Sequence, residues 1–196
     1  MEKVDRLVKI ENVVASATLK HGIDLRSVAR AFPKMKYRPD QFPGFVFRLK
    51  KPRTAILIFG SGKMVCTGAK SAGEARRALR NVVRRLKNGG IVILGKLSTK
   101  IQNIVASANL GGTIDLVRLY ECQRRDERMM YEPEQFPALI YRMKEPRAVV
   151  LLFSSGKLVC TGAKKEEDVY RAVDRLRQRL EKEECIFYSE QQKRMH

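Results

Sequence analysis

The sequence contains no tryptophan, only two histidines and four cysteines, and its cysteines form no C-x-x-C pair. Such scattered groups offer neither a repeated catalytic constellation nor the ligand spacing of a zinc site. We therefore expect no enzymatic activity, no metal and no cofactor. Cys66 and Cys160 lie in strand-like segments, and we expect both thiols to be reduced and buried.

Long apolar runs are also missing from the chain. No stretch approaches the roughly 18 residues that a membrane span needs, and the N-terminal MEKVDRLVKIE lacks the apolar core of a signal peptide. We expect a soluble cytoplasmic protein without a membrane partner.

Acidic residues are scarce relative to basic ones. The chain has 40 Lys and Arg against 21 Asp and Glu, a net charge of +19, which favours a polyanionic partner over a small metabolite. The part up to Ile91 holds 21 basic and 6 acidic side chains, whereas the rest holds 19 and 15. Halves that differ so much in charge can serve different partners.

What the chain does contain is a duplication. The 34 residues from Tyr37 to Lys70 return from Tyr131 to Lys164 with 20 identical pairs, and Ile10–Leu25 returns as Ile101–Leu116 with 10 of 16 pairs identical. A period near 90 residues is too long for a solenoid repeat and indicates two half-domains related by pseudo-twofold symmetry. Three extra residues in the second copy, near Arg124, Arg125 and Arg128, belong to a connection.

Hydrophobic periodicity predicts about four substantial strands and two helices in each copy, an α+β fold. Asp24 is the expected N-cap of a short helix. A longer helix runs between Ser71 and Lys87, with one apolar stripe and a strongly basic face from Arg76 to Lys87 that we interpret as solvated. Two helices can cover only one side of a four-stranded antiparallel sheet.

Both sides of these strands are nevertheless apolar, so one side is left without cover. An exposed apolar surface of this size marks a binding site, unless a second sheet or a homodimer buries it. The uncovered residues of the two copies are Val14, Val46, Leu57, Phe59 and Val65, and Val105, Ile140, Leu151, Phe153 and Val159.

Cations recur around this surface in both copies. A ligand with charged edges and a flat, stackable interior suits such an arrangement, and nucleic acid fits that description. We expect phosphate contacts from Arg48, Arg53, Lys63, Lys70, Arg142, Arg147, Lys157 and Lys164.

The ordered blocks YxPxQFP, KPRxxxLIF and SGKxVCTGAK, together with ENVVAS and QNIVAS, occur twice and resemble the TATA-box-binding proteins, in particular the archaeal branch. The resemblance implies a saddle with a curved ten-stranded antiparallel sheet, whose concave side lies on the DNA minor groove and whose convex side carries four helices. It also implies a first repeat over 1–95, a second over 96–188, a tail over 189–196 and a nucleoid-associated protein of the archaeal cytoplasm.

Family roles carry over to matching positions of this chain. The resemblance implies wedges that kink the DNA at Phe42, Phe59, Phe136 and Phe153. It implies polar minor-groove contacts at Asn12, Asn103, Thr67 and Thr161. It implies an apolar floor at Val14, Val105, Leu57, Leu151, Val65 and Val159.

The family's partners are A·T-rich promoter DNA, transcription factor B and the RNA polymerase initiation complex. Glu132 and Glu134 match the acidic positions that meet transcription factor B, whereas the first copy has Arg38 and Asp40 there. A homodimer through the concave side is a further expectation for the DNA-free protein.

An enzyme and an RNA-binding module are the alternative functions. Gly60-Ser61-Gly62-Lys63 is similar to part of a phosphate-binding loop, but the leading glycine of that motif is absent and Met64 stands in place of Ser or Thr. The stronger alternative is a sheet-based module that binds single-stranded RNA, or nucleic acid without specificity, through its phenylalanines.

Overall fold

The computed structural model of the chain describes residues 6–122 and 128–188. Glu11–Asn103 forms one compact unit, called the first unit, and the chain before and after it forms a second unit. Arg124 and Arg125 of the predicted insertion lie outside the described residues. None of the described helices has the length and the apolar character needed to cross a bilayer.

Four strands and two helices lie wholly or mainly in the first unit, as the periodicity predicted; the first strand begins at Val8, before the bounds of the unit. The sheet is antiparallel in the order β2-β3-β4-β1. The elements are β1 (Val8–Thr18), α1 (Leu25–Ala31), β2 (Gly44–Leu49), β3 (Thr54–Phe59), β4 (Lys63–Ala69) and α2 (Ala72–Asn88).

Local chemistry sets the helix ends. Asp24 accepts a hydrogen bond from the Arg26 N–H at 3.0 Å, which confirms it as the N-cap of α1. The Ser71 hydroxyl oxygen accepts from the Glu74 N–H at 3.1 Å and begins α2, because first-turn amides have no partner inside the helix. Gly89 ends α2, where its N–H donates to the Arg85 carbonyl at 2.9 Å.

The second unit repeats this plan and adds short strands. Its main sheet is antiparallel in the order β5-β10-β9-β8-β7, and β6 pairs with β11 separately. The elements are β5 (Ser98–Asn109), β6 (Thr113–Ile114), α3 (Leu116–Cys122), β7 (Met129–Met130), β8 (Ala138–Met143), β9 (Ala148–Phe153), β10 (Lys157–Ala163), α4 (Glu166–Lys182) and β11 (Ile186–Phe187).

The expected strand count of ten differs from the observed count. Four strands of the first unit and five of the second lie in the main sheets of the described chain. The first unit lacks a counterpart of β7, which would fall at Met35 and Lys36. There the Met35 N–H donates to the Phe32 carbonyl at 2.9 Å, so this backbone forms a turn instead of a strand pair.

The helices cover one side of each sheet. In the first unit α1 packs on β2, and α2 packs on β3 and β4; in the second, α4 packs on β9 and β10. Fully buried side chains include Phe45, Phe47, Ile56 and Ile58 of the sheet and Leu79 of α2. Burying such side chains supplies about 1.5–3 kcal/mol each. The core therefore lies entirely between the sheet and the helices.

Candidate nucleic-acid interface

The side of the first sheet that faces away from the helices carries a continuous apolar row. Val46 pairs with Leu57 across β2 and β3, and Leu57 pairs with Val65 across β3 and β4. All three side chains are partly exposed, whereas their sequence neighbours Phe45, Ile56 and Cys66 are buried. No second sheet covers the row in the part of the chain that the structure describes, so the predicted uncovered side is confirmed for this unit.

The second unit places an equivalent row on its own sheet. Ile140 pairs with Leu151, and Leu151 pairs with Val159. These side chains are again partly exposed. Val14 and Val105, on β1 and β5, have the same partial exposure. The two-sheet sandwich considered as an alternative is therefore wrong for the described residues.

The four predicted wedge phenylalanines form two pairs, one in each unit. The rings of Phe42 and Phe59 lie 5.8 Å apart at 61°, and those of Phe136 and Phe153 lie 6.3 Å apart at 65°. Such edge-to-face pairs stabilise one another while leaving ring edges outside. Phe136 is 40% exposed, whereas the other three rings are partly exposed, so Phe136 projects furthest into solvent.

Glycine shapes the first pair. A Cβ atom built on Gly44 would lie 2.6 Å from the Cε1 atom of Phe42, so Phe42 packs closely over this backbone. In the second unit the corresponding residue is Ala138, which carries that methyl group. The sequence contains this difference, but only the packing shows that it affects a wedge.

Asn12 is held in one orientation by its neighbours on β4. Its Oδ1 atom accepts a hydrogen bond from the Gly68 N–H at 2.7 Å, and its Nδ2 atom lies 3.1 Å from the Thr67 hydroxyl. Because a carboxamide nitrogen has two hydrogens, one remains available to an acceptor outside the protein. Asn103 and Thr161, the other predicted polar contacts, are likewise partly exposed.

The cations predicted in the first unit lie at the margins of the apolar row. Arg48, Arg53 and Lys63 are exposed. Lys70 is exposed as well, but its Nζ atom forms an ion pair with Glu11 at 3.1 Å and donates to the Glu11 carbonyl at 2.7 Å. A phosphate contact from Lys70 must therefore compete with Glu11.

The structure brings three predicted cations of the second unit together. Arg142, Arg147 and Lys164 line one groove of about 710 Å³, together with Asp168. This convergence supports their grouping.

Lys157 lines a different cavity in the second unit, of about 540 Å³. Phe153 and Val159 border the same cavity, and so do Leu7 and Lys9. Sequence reasoning missed Leu7 and Lys9, because they precede the repeated block from which the site residues were predicted.

The acidic residues predicted to meet a protein partner lie in the segment before Phe136. Glu132 and Glu134 are both exposed, as are Arg38 and Asp40 of the first unit. The Phe136 N–H donates to the Glu132 carbonyl at 2.9 Å, so this segment is a turn.

The two repeated cysteines lie on the helix-facing side of the sheets. Both are buried and not disulfide-bonded, as predicted. Burial away from water disfavours the thiolate and raises the pKa of Cys66 to about 11 and that of Cys160 to about 12. These thiols therefore belong to the core and not to the exposed side.

Comparison with known proteins decides the family. Residues 7–89 and 98–183 match the family described as transcription factor TFIID, or TATA-binding protein, TBP. The chain is 50% identical over 180 residues to the TATA-box-binding protein of Sulfurisphaera tokodaii, covering 92% of this chain and 89% of that one. It is 51% identical over 177 residues to that of Pyrodictium occultum, covering 90% and 87%. This chain belongs to the TATA-binding protein family.

A solved structure supports the family fold. TBP from Methanococcus jannaschii superposes with a TM-score of 0.78 at 45% identity, covering 90% of this chain and 99% of that one. The archaeal relatives agree with the branch of the TATA-binding protein family that the sequence motifs indicated. The duplicated α+β fold is thus confirmed.

Proposed function

We propose that this chain is a general transcription factor that binds the minor groove of TATA-box DNA. The observation that carries the proposal is the partly exposed apolar row on each sheet, uncovered among the described residues and bordered by exposed cations. The names of its relatives, TATA-box-binding proteins, support the same assignment.

The apolar row gives a physical reason for a preference for A·T pairs. In the minor groove an A·T pair presents only acceptors, whereas a G·C pair adds an amino group. That amino group would project into the valine and leucine side chains and lose its hydrogen bond to water. A buried polar group without a partner costs about 1–3 kcal/mol, so G·C pairs are disfavoured along the row.

Asn12 complements this selection. With Oδ1 occupied by the Gly68 N–H, the amide presents its Nδ2 side, a donor, to the groove. Adenine N3 and thymine O2 are the acceptors available there. We assign the same role to Asn103, with Thr67 and Thr161 beside the two amides.

The phenylalanine pairs provide the means to kink DNA. An apolar ring edge that enters between two base pairs unstacks them, and pyrimidine–purine steps such as TA unstack at the lowest cost. Phe42 with Phe59, and Phe136 with Phe153, each present such edges. The eight exposed cations then contact the phosphates.

Protein partners complete the proposal. Glu132 and Glu134 are exposed on a turn and offer carboxylates to transcription factor B, which with RNA polymerase forms the initiation complex. Their counterparts Arg38 and Asp40 do not form a matching acidic pair, and this asymmetry gives a pseudo-symmetric protein a direction on the promoter. Without DNA, a homodimer through the exposed apolar side would shield the same residues.

The test replaces the T·A pairs of a TATA duplex with inosine·cytosine pairs, which preserve the minor-groove edges and change the major groove. We expect affinity by gel shift to be retained within about threefold, while guanosine·cytosine replacement abolishes selective binding. Single-stranded RNA of the same sequence is the competitor. Loss of binding to the inosine duplex, or preference for the RNA, would contradict minor-groove recognition.

A further inference from the structure

A second basic site lies on the first unit, at the hairpin between β2 and β3. A groove of about 440 Å³ separates this hairpin from α2. Its lining contains five cations and no carboxylate: Arg48, Lys50, Lys51, Arg84 and Arg85, with Met35, Leu49 and Asn81. None of the five forms an ion pair with any residue described by the structure.

Two of the cations are held in place by contacts that leave their charge unneutralised. The Arg85 guanidinium lies 5.7 Å from the centre of the Phe47 ring, which is itself buried. Arg84 donates to the Oδ1 atom of Asn81 at 3.3 Å. Because α2 packs on β3 and β4, these side chains project from a rigid element.

The equivalent groove of the second unit has a different chemistry. It measures about 510 Å³, and its lining includes Glu145 where the first unit has Lys51. Arg179 donates to the Tyr141 hydroxyl at 2.7 Å, and Arg175 donates to the Glu145 carbonyl. Gln178 occupies the position of Arg84. Duplication therefore supplied the groove twice, but the second is lined by four cations and one carboxylate, whereas the first is lined by five cations and no carboxylate.

We propose that the groove of the first unit binds the phosphate backbone of double-stranded DNA without regard to sequence. The inference rests on the proposed function in one respect, since Arg48 belongs to both the apolar side and the groove. From Arg48 the cations continue through Lys50 and Lys51 to α2, so the groove extends the set of exposed cations that border the apolar row.

Charge complementarity favours duplex DNA over an acidic protein segment. A duplex carries one negative charge per roughly 1.7 Å of its axis, and its condensed counterions are released when cations replace them. The duplex is already ordered, whereas an acidic segment pays the entropy of ordering when it binds. Three of the five cations are arginines, whose planar guanidinium matches phosphate oxygens in pairs.

The decisive experiment exchanges the chemistry of the two grooves. The double variant Lys51→Glu with Arg84→Gln introduces the residues that the second unit has at these two positions, and Glu145→Lys with Gln178→Arg does the reverse. Affinity for a random-sequence duplex is measured by fluorescence anisotropy over a series of salt concentrations. We expect the first variant to lose about tenfold in affinity and about two units of log–log salt slope, and the reverse variant to gain slope.

Selectivity for a short TATA duplex is measured in parallel, so the two proposals fail separately. If the protein does not bind the inosine·cytosine duplex but the salt slope still falls in the first variant, the minor-groove proposal is wrong and the groove proposal stands. An unchanged salt slope in the first variant overturns the groove. Weakened binding of a labelled polyglutamate peptide, with random-duplex binding unaltered, also overturns it and assigns the groove to an acidic protein. Lys50→Gln, a single exposed change, repeats the test if the double variant unfolds.

Discussion

The two units share a register but differ in charge. The rows Val46–Leu57–Val65 and Ile140–Leu151–Val159 are paired identically. By contrast, α2 has six cations and one carboxylate, whereas α4 has five of each. Divergence after duplication thus changed the charge of the helix surfaces and left the pairing of the apolar rows unchanged. This pairing can change little because each strand has one face in the core and the other in the interface, whereas helix surfaces are free to acquire different partners.

The largest expected effect tests whether the two wedge pairs are equivalent. Phe59→Ala and Phe153→Ala each remove one ring from one pair, and each should abolish roughly half of the DNA bend because each pair unstacks one step. Fluorescence energy transfer between the ends of a TATA duplex measures the bend. Phe187→Ala, which removes a 52% exposed ring from β11, is the control. A full bend in either wedge variant would remove that pair from the mechanism.

The next effect is a loss of stability at alkaline pH, to which the two buried cysteines contribute differently. In the unfolded chain these thiols have a pKa near 9.0. In the folded protein their pKa is raised, so they keep their protons to a higher pH. The free energy of unfolding should therefore fall as pH rises from about 9 through about 11 for Cys66 and about 12 for Cys160. The total loss should amount to a few kcal/mol.

Cysteine variants distinguish this loss of stability from the loss that lysine titration causes over the same pH range. Cys66→Ala and Cys160→Ala should each flatten the decline in urea unfolding experiments, and Cys160→Ala should flatten it further towards high pH. The exposed Cys122 serves as the matched control, since Cys122→Ala should leave the decline as it is. Parallel curves for all variants and the wild type would refute the shifted thiols.

A smaller effect exchanges the glycine and the alanine beneath the wedges. Gly44→Ala adds a methyl group 2.6 Å from the Phe42 Cε1 atom, which should push Phe42 outwards and lower the free energy of unfolding by about 1–2 kcal/mol. Ala138→Gly removes the corresponding methyl group in the second unit and should lower the free energy of unfolding by less than about 1 kcal/mol. Urea unfolding measures both. Equal costs in the two variants would show that Phe42 does not depend on Gly44.

Part of the fold and part of the candidate site could be predicted from the sequence. The alternation of apolar residues was enough to place Leu57 on the uncovered side and Ile56 on the covered side, because successive side chains of a strand point to opposite faces of the sheet. Asp24 was recognisable as a cap from local chemistry alone. The contact between Lys70 and Glu11 and the basic groove beside α2 were not predictable, since they join residues from separate elements whose spacing no periodicity encodes. Leu7 escaped detection because it precedes the repeated block that begins at Ile10.

The smallest expected effect concerns the starts of the two long helices. Ser71 caps α2 with its side chain, whereas Lys165 precedes α4 without a side-chain hydrogen bond. Ser71→Ala should lower the free energy of unfolding by about 1 kcal/mol, and Lys165→Ser should raise it by several tenths because Asp168 then completes a Ser-x-x-Asp start. Thermal unfolding followed by circular dichroism distinguishes these shifts. If Lys165→Ser brings no gain, the three carboxylates in the first turn of α4 already satisfy its amides and its dipole.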